Sequence, residues 1–175
     1  MIMRNTLKIL FVCIVVAMPS LSFAQKVYKF GHVNSQEILA TIPDRDSAQT
    51  KLQAFAQDLE NTLDGMQVEF NKKYQDFITA EPTMNDLVKK TKQEELTQMQ
   101  QRIQQFQQNA QDEYKNKNDE LMQPIIQKIQ KAINDVGKEN GFLYIFDVSS
   151  GAVPYVSADS QDITPIVKTK LNIKK

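Results

Sequence analysis

The chain has 175 residues, with 21 Lys and Arg against 21 Asp and Glu, one His, one Cys, no Trp and five Gly. That length allows one modest domain or one elongated chain, and the zero formal charge argues against a nucleic-acid partner. A single His and a single Cys cannot build a zinc cluster, a Cys–His dyad or a disulfide, and no glycine-rich phosphate loop occurs. Composition therefore points away from an enzyme, a metal site or a cofactor.

Residues 1–24 read as a secretory leader. Arg4 and Lys8 precede an apolar run, Ile9 to Met18, of about ten residues, where a bilayer span takes roughly 20. Ser22-Phe23-Ala24 then places small residues where a signal peptidase needs them, so cleavage is expected between Ala24 and Gln25. Cys13 lies inside the apolar run and follows Val12, which argues against a lipid anchor. Removing Arg4 and Lys8 from the 21 basic residues, against 21 acidic ones, leaves a mature net charge near −2. With no cysteine left, the mature chain must rely on its core, its helices or its neighbours.

The segment 25–43 reads as a strand followed by a short helix. Val27 to Val33 is rich in β-branched and aromatic residues. Asn34 is placed to cap a short helix with Glu37 three positions on; Ile38, Leu39 and Ile42 pack it, and Pro43 ends it.

Residues 44–123 predict a helical arm. Between Gly65 and Gly137 there is no glycine, and the prolines in that stretch are Pro82 and Pro124. The first half spaces Ala48, Leu52, Phe55, Leu59, Leu63, Met66, Phe70, Tyr74 and Phe77 by threes and fours. That pattern repeats every 11 residues and keeps one narrow stripe on one side with little supercoil. The second half continues with Val88, Leu96, Met99, Ile103, Phe106, Ala110 and Tyr114. Pro82 cannot continue the first helix, and Thr83 with Asp86 resembles a capping box that opens the second.

If the chain folds back there, facing residues have numbers with a constant sum. Phe77 with Val88, Phe70 with Leu96, Met66 with Met99, Leu63 with Ile103, and Leu59 with Phe106 all add to 165 or 166. Phe55 with Ala110 and Leu52 with Tyr114 do the same. The expected hairpin is about 55 Å long, and Pro43 faces Pro124 at its root, so a break is expected at both.

Residues 124–175 complete a β-rich body. Ile125, Ile126, Ile129, Ala132, Ile133 and Val136 form a broad apolar helix face, and the helix should stop at Asn140-Gly141. Phe142 to Val148 is apolar on both faces, as in a buried strand. Ser149-Ser150-Gly151 reads as a turn, Ala152 to Val156 as an edge strand, and Asp162-Ile163-Thr164-Pro165 as the start of a last helix. The fold class is α+β. So small a sheet needs cover, which predicts that the body is completed by association of several copies.

This order of features resembles the Skp/OmpH family of periplasmic chaperones. The matching elements are the leader, the strand ending at Val33-Asn34, the short helix from Ser35 and the long hairpin. The returning helix into Phe142–Asp147, the Pro154-Tyr155 segment and the closing Asp162-Ile163-Thr164 helix complete them. The resemblance implies a periplasmic homotrimer with a β-barrel-like body, to which Val27, Phe30, Val33, Phe142, Tyr144 and Phe146 would contribute. It also implies helical arms around a cavity that holds unfolded outer-membrane β-barrel proteins without ATP. Relatives are strongly basic and this chain is not, so neither lipopolysaccharide nor strong anionic-membrane binding is carried over.

Client contacts are expected at the apolar residues Val68, Ile78, Met84 and Leu87, near the tip and off the stripe. No catalytic residue, cofactor or metal is assigned. Gly65 either lets the arm bend or is a tolerated surface glycine. His32 reads as a buried, hydrogen-bonded residue, and Asp147 as a strand-end turn residue. Glu94-Glu95 and Asp112-Glu113 read as helix-surface carboxylates without the cleft that a glycosidase pair needs. The alternative function is an envelope structural or adaptor protein whose arms dock one folded partner.

Overall fold

The computed structural model describes residues 28–173. The leader, its cleavage site and Val27 lie outside the described residues. The elements run β1 (Lys29–Val33), α1 (Ser35–Thr41), α2 (Pro43–Ala80), a 3₁₀ turn (Glu81–Thr83), α3 (Asp86–Glu139), β2 (Phe142–Asp147), β3 (Gln161–Asp162) and α4 (Thr164–Lys170).

Local chemistry sets most of these boundaries. Asn34 Oδ1 accepts the Glu37 amide at 2.9 Å and so starts α1. Pro43 ends α1 and opens α2 at once, since a first-turn residue needs no amide hydrogen. Asp44 and Asp46 then face the positive end of that helix. At the far end Pro82 lies in the 3₁₀ turn, and the chain reverses. The residue that caps α3 is Asn85, whose side chain accepts the Val88 amide at 2.9 Å. The expected Thr83–Asp86 box is not used, because the Thr83 hydroxyl donates back to the Ala80 carbonyl. Gly141 closes α3 with a positive φ of 67°, which a side chain would resist.

α2 and α3 pack along their length as an antiparallel hairpin. Two further expectations need correction. Pro124 does not break the second helix: α3 runs uninterrupted for 54 residues with Pro124 inside it. A proline there forfeits one helical hydrogen bond, to the exposed residue Glu120, whose carbonyl water can satisfy. The following turns bury Ile125, Ile129, Ala132, Ile133 and Val136, and that burial holds the helix on course.

The second correction concerns the sheet. Ala152–Val156 is irregular backbone, not a strand. The sheet order is β2-β1-β3 with both pairings parallel, and the third strand is Gln161–Asp162. Both edges of β1 are therefore taken, and Ala152–Val156 finds no free edge of β1 to join.

The core lies between the sheet and helices α1, α3 and α4. Val33, Ile38, Ile42, Val136, Ile163 and Val167 are its fully buried members. Gly137 of α3 lets β2 approach closely: a Cβ there would come within 2.9 Å of Ile145 Cδ1. Asp147 fastens the end of β2 to the start of α1, accepting the Ser149 amide at 2.9 Å and the Ser35 amide at 3.3 Å, with the Ser35 hydroxyl on its second oxygen.

Candidate functional site

Among the described residues no group of three or more His, Cys, Asp or Glu side chains could hold a metal ion. His32 is half-buried rather than buried, with Nδ1 2.9 Å from the Ser160 hydroxyl. Glu95 pairs with Lys92 at 2.9 Å. The Lys92 hydrogen bond and charge hold its carboxyl below the usual carboxylate range, the reverse of what a general acid requires. Asp112 and Glu113 are exposed on α3. Partial burial works against the Asp147 carboxylate, but hydrogen bonds from Ser35 and Ser149 outweigh it and hold that carboxyl low.

The arm presents two different apolar surfaces. Along the stripe, Leu52, Phe55, Leu59, Leu63, Met66, Phe70, Leu96, Ile103 and Phe106 are half-buried, while Phe77 and Met99 are buried. Val88, Tyr74 and Tyr114 are the exposed members of the stripe. Off the stripe, Leu87 is 76 % exposed, Val68 67 % and Ile78 44 %. Ile78 and Leu87 lie close in sequence to either side of the turn. Met84 differs from these three. It is half-buried and lines a cavity of about 270 Å³ with Phe77, Ala80 and Leu96, rimmed by Lys73, Asp76, Lys92 and Glu95. Sequence reasoning missed that cavity; it arises because Met84 lies past the end of the 3₁₀ turn and folds back over the stripe.

Charges near the tip are internally balanced. Lys73 pairs with Glu69, Lys89 with Glu81, Lys90 with Glu94 and Lys92 with Glu95. Such exposed pairs add little stability, but they leave the tip with little net field.

The body has one covered and one open sheet face. Gly31, Val33 and Ile145 look toward the helices, and a bulge at the start of the β1–β2 ladder lets Phe142 join them. Phe30, His32, Tyr144 and Phe146 are on the opposite side. Phe30 stacks on Tyr144 with centroids 6.4 Å apart, and Tyr144 meets Phe146 at 6.1 Å. All three rings are exposed in the single chain, as are Tyr28 and Tyr155. The strand expected to be buried on both faces is thus covered on one. Val33 belongs to the chain's own core.

Residues 29–171 match the model of a family described as outer membrane protein (OmpH-like). Among solved structures, the chain is similar to a candidate outer membrane chaperone (OmpH-like) from Caulobacter crescentus CB15. The TM-score is 0.71 at 15% identity, covering 83% of this chain and 85% of that one. At that identity the likeness is one of fold. No curated protein matches the chain.

Proposed function

The chain belongs to the OmpH-like outer membrane protein family, and on that premise we propose that it is a periplasmic holdase chaperone. It binds unfolded outer-membrane β-barrel proteins between its arms and prevents their aggregation without ATP. The observation that carries this reading is the arm itself. Its far end exposes Val68, Ile78 and Leu87 beside a zwitterionic rim, a surface suited to variable apolar chains. Many weak apolar contacts of this kind hold a client while allowing its release. The balanced tip charges support capture by contact rather than by long-range attraction.

The working particle is a trimer formed through the bodies at 25–43 and 124–175, with the arms at 44–123 enclosing the client. The open face of Phe30, Tyr144 and Phe146 supports this assembly, because parallel strands are normally covered on both sides. Its neutral aromatic character suits a second copy better than a charged partner. Among the described residues no helix is long and apolar enough to cross a membrane.

The test combines oligomer mass with an aggregation assay. Suppression of aggregation for several unrelated unfolded β-barrel proteins, at one trimer per client or less, is the expected result. Binding of a single folded partner with no suppression would replace this reading with an adaptor role. A steep loss of client affinity between low and high salt would overturn capture by apolar contact.

A further inference from the structure

At the root of the arm the stripe opens into a cavity of about 560 Å³ between α2 and α3. The opening follows from residue size. Ala48 and Ala56 flank Leu52 on α2, and the facing positions on α3 are Tyr114 and Asn118 in place of aliphatic side chains. Arg45 is the sole charged residue in the lining. It takes part in no ion pair among the described residues, and its side chain makes one long contact, Nη1 to the Ala40 carbonyl at 3.5 Å. Of the nearby acids, Asp44 pairs with Lys128 at 2.7 Å and Glu120 with Lys117 at 2.9 Å, while Asp46 and Asp119 make no ion pair among the described residues and lie outside the lining.

The rest of the lining divides into two kinds. Leu52, Leu121 and Met122 give it an apolar wall. Gln49, Gln53 and Asn118 add carboxamides that, among the described residues, make no side-chain hydrogen bond within the chain. Carboxamides both donate and accept, which matches peptide N–H and C=O groups and is wasted on a hydrocarbon. A guanidinium binds a carboxylate through two parallel hydrogen bonds.

We propose that this cavity binds the free C-terminus of an unfolded chain ending in an apolar residue. Arg45 takes the terminal carboxylate, the apolar wall takes the last side chain, and Gln49, Gln53 and Asn118 take the preceding amides. The inference rests on the chaperone reading and names one segment of the client.

The experiment is calorimetric titration of the purified full chain with three probes: acetyl-Ala-Val-Phe as the free acid, the same peptide amidated at its C-terminus, and decanoate. The free acid is expected to bind, with the amide and decanoate at least about ten-fold weaker. Arg45→Gln removes the charge on a part-exposed side chain and should weaken the free acid by a similar factor. Ala48→Leu fills the opening and should block it while Arg45 remains. Equal binding of acid and amide, no binding of either, or decanoate binding as tightly as the acid would each overturn the site. Aggregation assays on the same proteins separate the two readings. Wild type that fails to suppress aggregation defeats the chaperone role, whereas intact suppression with no peptide binding defeats only this site.

Discussion

Gly65→Ala and Gly137→Ala place the same methyl group in two different surroundings. At Gly65, in the middle of α2, a Cβ meets nothing within 4 Å. The substitution therefore gains helix propensity, up to about 1 kcal/mol, with no offsetting contact. At Gly137, a Cβ would lie 2.9 Å from Ile145 Cδ1, so Ile145 must leave its rotamer or β2 must move. Inserting a methyl into a packed interface costs about 1–3 kcal/mol, and the propensity gain is smaller near a helix end. The net effect at Gly137 is a loss of roughly 1 kcal/mol, and the gap between the variants is about 2 kcal/mol. For a chain of this size that gap is about 4–8 °C in Tm. Thermal melts followed by far-ultraviolet circular dichroism, at one fixed protein concentration, measure it. Gly137→Ala melting at or above Gly65→Ala would refute the close approach of β2 to α3.

Pro124→Ala restores an amide donor for the Glu120 carbonyl inside α3, and is expected to raise stability by up to about 3 kcal/mol, read from the denaturant midpoint; a lower midpoint would contradict an uninterrupted helix. Asn85→Ala removes the cap of α3 and should cost about 1 kcal/mol, whereas Thr83→Ala should cost much less; the reverse order would return the cap to Thr83. Asp147 has a folded-state carboxyl held below its ordinary value, so its contribution is complete above the unfolded pKa of about 4 and fades as pH falls through the lower folded value. Asp147→Asn should therefore flatten the acid limb of the stability profile, and superimposable limbs would sink that account.

The arm was legible in the sequence because its signal is repetitive: stripes spaced by threes and fours, numbers summing to a constant, and a proline at the midpoint. The Asn34 cap and the Gly141 stop were legible because each is a local backbone requirement met by one side chain. The body was less so. Ala152–Val156 has strand-like composition, yet strand formation depends on a free edge, and Gln161–Asp162 fills that place with only two residues of unremarkable propensity. Thr83 and Asn85 both satisfy capping preferences, and only the turn geometry selects between them. Pro124 failed as a breaker because solvent at one carbonyl and a buried face beyond it outweigh a lost hydrogen bond. The tip cavity depends on where Met84 folds back, which no periodicity encodes. The root cavity left a trace in Ala48 and Ala56, two small residues flanking one Leu on the stripe.

One rod, α3, serves both as the returning limb of the arm and as the central helix of the body. Each residue inserted into it would rotate everything beyond by about 100° and advance it by about 1.5 Å. A single insertion would swing one stripe away from the other, and an unmatched one would shift their register. Changes in reach must therefore come as paired blocks in both limbs, near the 11-residue repeat, lengthening the arm in steps of about 16 Å.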